Sequence, residues 1–198
     1  MTQTLEIIAV AIVFTCALFN LVRRQWLANL VALAFQYVGV FLVLLSIRPV
    51  AVAFIPLLVG LMTTLILVVT LVGSGRLEKQ RFLERINAGE VFRTIAGLVA
   101  IVLIALLVPT VRREIFPGTG SYLLFGSLGL IMLSLLQMGM KSEPLYITLG
   151  LLSFISGFQL LYASLETSAL LVALFVVLNL GLGLVGAFFL VKQEDTSP

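Results

Sequence analysis

The sequence predicts an all-α, polytopic membrane protein: a single domain over residues 1–198 built as a bundle of seven transmembrane helices. Three observations predict it. The chain is 61% hydrophobic and only 11% charged, with a mean hydropathy of +1.22, whereas a soluble domain carries about 25% charged residues. Its apolar runs are continuous rather than alternating, the pattern of helices and not of a membrane barrel. Most runs also approach or exceed the roughly 20 residues that cross a 30 Å hydrocarbon core at 1.5 Å per residue.

In order, the spans fall at 5–22, 27–47, 50–73, 94–111, 122–140, 145–165 and 168–191. The first is read as a true helix and not a signal peptide. No basic region precedes it, and Asn20-Leu21-Val22-Arg23-Arg24 is no small-residue cleavage site. Arg23-Arg24 ends span 1, and Arg48-Pro49 separates spans 2 and 3. The only long connection, 74–93, reads as an amphipathic linker. Leu77, Phe82, Leu83 and Ile86 share one face, with Glu78, Lys79, Arg81, Glu84 and Arg85 opposite. Such a segment lies at the headgroup layer; a docking helix for a cytoplasmic partner is the sharper alternative. Pro56 and Pro109 should kink or end the helices that hold them. Residues 118–120 (Gly-Thr-Gly) form a turn.

Orientation follows from the basic residues. Nine of the 12 Lys and Arg fall in connections after odd-numbered spans; Arg48, Arg112 and Arg113 fall on the other side. The positive-inside rule then puts the N-terminus outside and the C-terminus in the cytoplasm of a bacterial inner membrane. Spans 1–3 and 5–7 also share one plan of helix, short basic turn, helix, tighter turn, helix. Arg23 to Trp26 corresponds to Lys141 to Pro144, and span 4 acts as a spacer, so the two units form a parallel repeat.

Ionisable groups deep in a membrane are costly and therefore mark function. Here every charged residue lies in a connection or within about a turn of a span end. With zero His and a lone Cys16, neither a metal site nor any other cofactor is expected. A membrane enzyme acting alone is the least favoured class, since no acid, base or nucleophile constellation exists. What remains inside the membrane is neutral: Gln36, Thr63, Thr64, Gln137, Ser153, Ser156, Gln159 and Asn179. Gln36, Thr63, Gln159 and Asn179 are the candidate site positions, able to line a hydrated path. Interhelical hydrogen bonding, worth only about 0.6 kcal/mol on average, is the plainer role for each. Ser153, Ser156 and Gln159 form one stripe. Asn179, Gly183 and Ala187 form another, and the two stripes are expected to face each other or a partner.

Several features share a known layout. Leu18-Phe19 precedes the basic turn and Gln36, and the long third span ends at Gly75-Arg76. Residues 150–159 read Gly-Leu-Leu-Ser-Phe-Ile-Ser-Gly-Phe-Gln, and the last span runs from Asn179 to Lys192. In this layout, over most of its length, the chain resembles the membrane component E of hydrogenase-4 and formate-hydrogenlyase complexes. That component is related to the small K-type membrane protein of complex I and to the small C-type membrane protein of multi-component sodium/proton antiporters. The resemblance implies a membrane-arm subunit packed beside antiporter-like subunits. Where the family carries an intramembrane Glu, this chain has Ile155; where it carries His, Gln159. The family's acidic residue in the last span is Asn179 here, and its third-span lysine falls near Thr63. Asn hydrogen-bonds water but holds no proton in transit. On this alignment the scaffold is kept and the relay stripped.

The expected partners are therefore other integral membrane subunits of a hetero-oligomeric complex and the lipid bilayer, with no nucleic acid. The expected role is mainly structural, with part of an ion or proton path as an added possibility. The alternatives are a standalone small-molecule or lipid carrier, and an accessory protein of another respiratory or photosynthetic complex.

Overall fold

Each apolar run folds as a helix that stops where polar residues or a proline interrupt it. The computed structural model describes residues 3–74, 88–165 and 168–195. These form α1 (Gln3–Val22), α2 (Trp26–Leu44), α3 (Val50–Gly73), α4 (Ala88–Glu114), α5 (Ser121–Met140), α6 (Pro144–Ala163) and α7 (Ala169–Asp195). All seven are long and apolar enough to cross a membrane, and no strand occurs among the described residues. The chain is a multi-pass membrane protein with lipid as its surroundings.

The helix ends have local causes. Pro144 occupies the first turn of α6, where its missing N–H costs nothing. Glu143 stands at the N-cap of α6, its carboxylate beside the positive end of the helix dipole. Between α4 and α5 the chain reverses through Gly118, whose φ of +95° suits a residue without a Cβ. Threonines inside the helices satisfy themselves: Thr63, Thr64, Thr70, Thr94 and Thr148 each donate to the carbonyl four residues earlier.

Four boundaries differ from the expectation by three residues or more, two of them because α4 runs on to Glu114 and α7 to Asp195. Helix α2 ends at Leu44 rather than 47. Helix α4 begins six residues before 94, so 88–93 of the expected linker is helical. The cause is Arg93, which is buried and donates from Nη1 to the Val22 carbonyl at 3.0 Å. A guanidinium bonded inward lets the helix continue through it. Residues 75–87, with the amphipathic pattern of the linker, lie outside the described residues, as do 166–167 of the turn before α7.

Packing arranges six helices in two rows. α1, α2 and α3 neighbour one another in sequence, as do α5, α6 and α7. The rows meet α1 on α5, α2 on α6 and α3 on α7, while α4 lies against α1 and α5. One apolar cluster joins α1, α2 and α5 through Ala9, Val13, Leu21, Val40, Leu130 and Leu133. A second joins α2, α3, α6 and α7 through Leu30, Leu33, Leu67, Leu71, Leu149 and Leu190. Lipid offers no hydrophobic drive between helices, so close approach of small residues must hold them. Gly39 on α2 lies against Ile12 and Val13 of α1. Gly157 on α6 lies against Leu130 and Ile131 of α5. The two triplets are related by one sequence shift, the same 118 residues that separate Arg23 from Lys141. The repeat visible in the turns is thus also present in the packing.

Candidate functional site

The neutral polar residues gather where the two rows meet. Gln36 of α2 and Ser153 of α6 are buried and face each other, with Nε2 donating to Oγ at 2.9 Å. The next residue, Tyr37, points about 100° further round α2. Its ring lies flat against Gly60 of α3, where any Cβ would strike the ring. Its hydroxyl donates to Oδ1 of Asn179 on α7 at 2.9 Å. The Ser156 hydroxyl neighbours the same phenol and donates to the Leu152 carbonyl. Asn179 completes itself through Nδ2, which donates to the Phe175 carbonyl at 3.3 Å. Four helices are thus tied by two adjacent residues of α2.

Of the candidate positions, Gln36 and Asn179 belong to this seam, linked through Tyr37. Thr63 flanks it: its hydroxyl bonds the Val59 carbonyl and its methyl fills the space left by Gly183 of α7. Gln159 stands apart, at the end of the bundle away from Lys141. It lines a pocket of about 40 Å³ with Arg48, Pro56, Tyr162, Ser168 and Phe175. Its buried Oε1 has no hydrogen-bond partner among the described residues. Arg48 at that pocket donates to the Ala163 carbonyl at 2.8 Å. The two stripes of α6 and α7 do not bond each other. Ser153 turns to α2, and Asn179 and Gly183 turn to α2 and α3. Contact between α6 and α7 instead uses Thr148 against Gly186.

A second polar centre sits at the opposite end, under the turn between α1 and α2. Lys141 is 2% exposed. Its Nζ donates to the carbonyls of Asn20 at 2.6 Å and Arg23 at 2.5 Å, and lies 4.1 Å from the centre of the Tyr146 ring. With Arg93 on Val22, two cations therefore cap the C-terminal carbonyls of α1, where the helix dipole favours positive charge. Asn29 Nδ2 adds a third donor, to the Arg23 carbonyl at 3.0 Å. Trp26 Nε1 reaches Glu143 at 3.1 Å, joining the two repeat turns. Burial above all, then the Arg93 and Arg24 guanidiniums, pushes the Lys141 amine down to about 7, against the pull of Glu143 and Glu90.

Sequence reasoning missed Tyr37, Arg93 and Lys141 as organising residues. The available signals were slight: Tyr37 follows Gln36 in an otherwise apolar run, and Lys141 looks like any basic turn residue. Chemically the seam offers amides and hydroxyls already engaged with one another, and among the described residues no three of His, Cys, Asp and Glu group together. No family model, no curated protein and no solved structure matches this chain.

Proposed function

We propose that this chain is a membrane-arm subunit of a complex I-like or hydrogenase-like energy-converting assembly, and that its own contribution is architectural. One observation carries the reading. Four polar side chains of the seam pair across the rows, Gln36 with Ser153 and Tyr37 with Asn179, and none of these four is a group that exchanges a proton near neutral pH. Such a seam holds helices in register and stores no proton. The outward faces of α4 and α7 support a place among other helices. Phe92, Leu106, Leu170 and Val177 project from them exposed, available to lipid or to neighbouring subunits. The basic residues grouped at the Lys141 end favour a bacterial inner membrane with that end in the cytoplasm and the N-terminus outside.

The test is affinity purification of the full chain from native membranes in a gentle detergent, followed by mass spectrometry. Co-purification of large antiporter-like subunits with an iron–sulfur or hydrogenase-like arm supports the reading. Recovery as a lone chain or a homo-oligomer overturns it in favour of a carrier.

A further inference from the structure

The groove between the end of α4 and the start of α5 is wide, basic at its mouth and apolar along its wall. It is an open groove of about 830 Å³, lined by Arg112 and Arg113 at the ends and by Ala105, Val108, Pro109 and Phe125 below. We propose that it binds one anionic phospholipid, the phosphate held by the two arginines and an acyl chain laid along the apolar wall.

The mouth is built to receive an anion. Arg112 Nη1 donates to the Ser121 hydroxyl at 2.8 Å, which fixes the guanidinium beside the first turn of α5. The N-cap of α5 is Gly120, which supplies no side-chain acceptor. The first helical bond runs from Leu124 N–H to Gly120 O, which sets the positive end of the α5 dipole at this mouth. An oxyanion beside Arg112 meets guanidinium donors and the positive end of a helix dipole together. Glu114, next in sequence to the two arginines, is exposed and does not line the groove.

The wall selects the rest of the ligand. Ala105, Val108 and Pro109 form one stripe on α4, and Tyr122 and Phe125 answer it from α5. From Arg112 down to Ala105 is about 10 Å of helix, which carries the groove below the headgroups to a depth where only hydrocarbon fits. Pro109 brings no N–H to the Ala105 carbonyl, so α4 lacks a rung beside the groove. Charge complementarity singles out the occupant: among the described residues the basic side chains at this end of the bundle are Arg48, Arg112 and Arg113, and two of them share this mouth. A free anion would leave the wall uncovered, and a lipid without net charge would leave the arginines uncompensated.

Native mass spectrometry of the full-length, delipidated chain tests this with equal amounts of dioleoyl phosphatidylglycerol and dioleoyl phosphatidylcholine. One phosphatidylglycerol should be retained with a preference of about ten-fold or more. R112Q/R113Q should erase the preference, and R48Q should keep it. A105W, which leaves both arginines and blocks the wall, should also release the lipid. Equal retention of the two lipids by the wild type, or an unchanged preference in R112Q/R113Q, overturns the proposal. Should the double variant fail to fold, thermal unfolding of the wild type decides. A rise in Tm with phosphatidylglycerol but not with inorganic phosphate supports the lipid. The same rise with phosphate alone overturns it.

Discussion

The Tyr37 phenol donates to Asn179 across the row interface, so one side chain of α2 packs its ring on α3 and ties its hydroxyl to α7. A double-mutant cycle of Tyr37→Phe and Asn179→Leu should give a coupling energy near 0.6 kcal/mol and below about 1.7 kcal/mol. Unfolding in mixed micelles measures it. A coupling of zero would mean the two side chains stabilise independently.

The same ring makes Gly60 intolerant of a side chain. Gly60→Ala should destabilise by about 1–3 kcal/mol through overpacking. Tyr37→Leu in the same chain should recover part of that loss. No recovery would place the strain elsewhere in α3.

Gly39 and Gly157 occupy equivalent places but face different neighbours. A Cβ at Gly39 meets a Val13 methyl at 2.7 Å and no backbone atom nearer than the Ala9 carbonyl oxygen at 3.3 Å; one at Gly157 meets the Leu130 Cβ at 2.9 Å and the Ile131 backbone nitrogen at 3.0 Å. Gly157→Ala should therefore cost more than Gly39→Ala, within about 1–3 kcal/mol for overpacking. Equal losses of Tm in the two variants would contradict this.

Lys141 sets a pH dependence with a definite sign. Its folded pKa of about 7 lies below the ordinary 10.5. Between those values the unfolded chain holds a proton that the folded chain has released, so stability rises with pH across that window. Below pH 7 both states are protonated and this contribution is flat. Lys141→Met should remove the rise. It should also destabilise throughout, by about 1–3 kcal/mol, because the Asn20 carbonyl loses the Lys141 donor and the Arg23 carbonyl keeps only Asn29 Nδ2. A pH profile of Tm that Lys141→Met leaves unchanged would assign the slope to another group.

Asn179→Asp separates an architectural seam from a depleted relay. With Tyr37 as its one cross-helix donor, a buried carboxylate is poorly compensated. On the proposed subunit role, recovery of the chain with its partners should weaken while any coupled ion transport per assembled complex stays unchanged. A change in transport at equal assembly would show that the position borders a path.

Seven helices were legible because length and continuous apolarity report directly on a bilayer, and the turns at Arg23, Arg48 and Pro144 marked their limits. Gln36 and Asn179 were legible as polar exceptions. Their partners were not, because a residue's angle around its helix says which way it faces and not which helix waits there. Tyr37 was hidden for that reason: its hydroxyl makes it a bridge only once α7 is in place. Arg93 and Lys141 were hidden differently. In sequence a basic residue near a helix end belongs to the headgroup layer, and only the fold reveals the α1 carbonyls that draw these two inward.

The peripheral position of α4 has a counting explanation. A unit of three crossings finishes on the face opposite its start, so a second copy fused directly to it would be threaded upside down. One additional crossing corrects the parity. α4 makes that return journey along the outside of α1 and α5, and most of its surface answers to no internal partner. Freed from the core, this helix can change its outward residues while the paired triplets stay as they are.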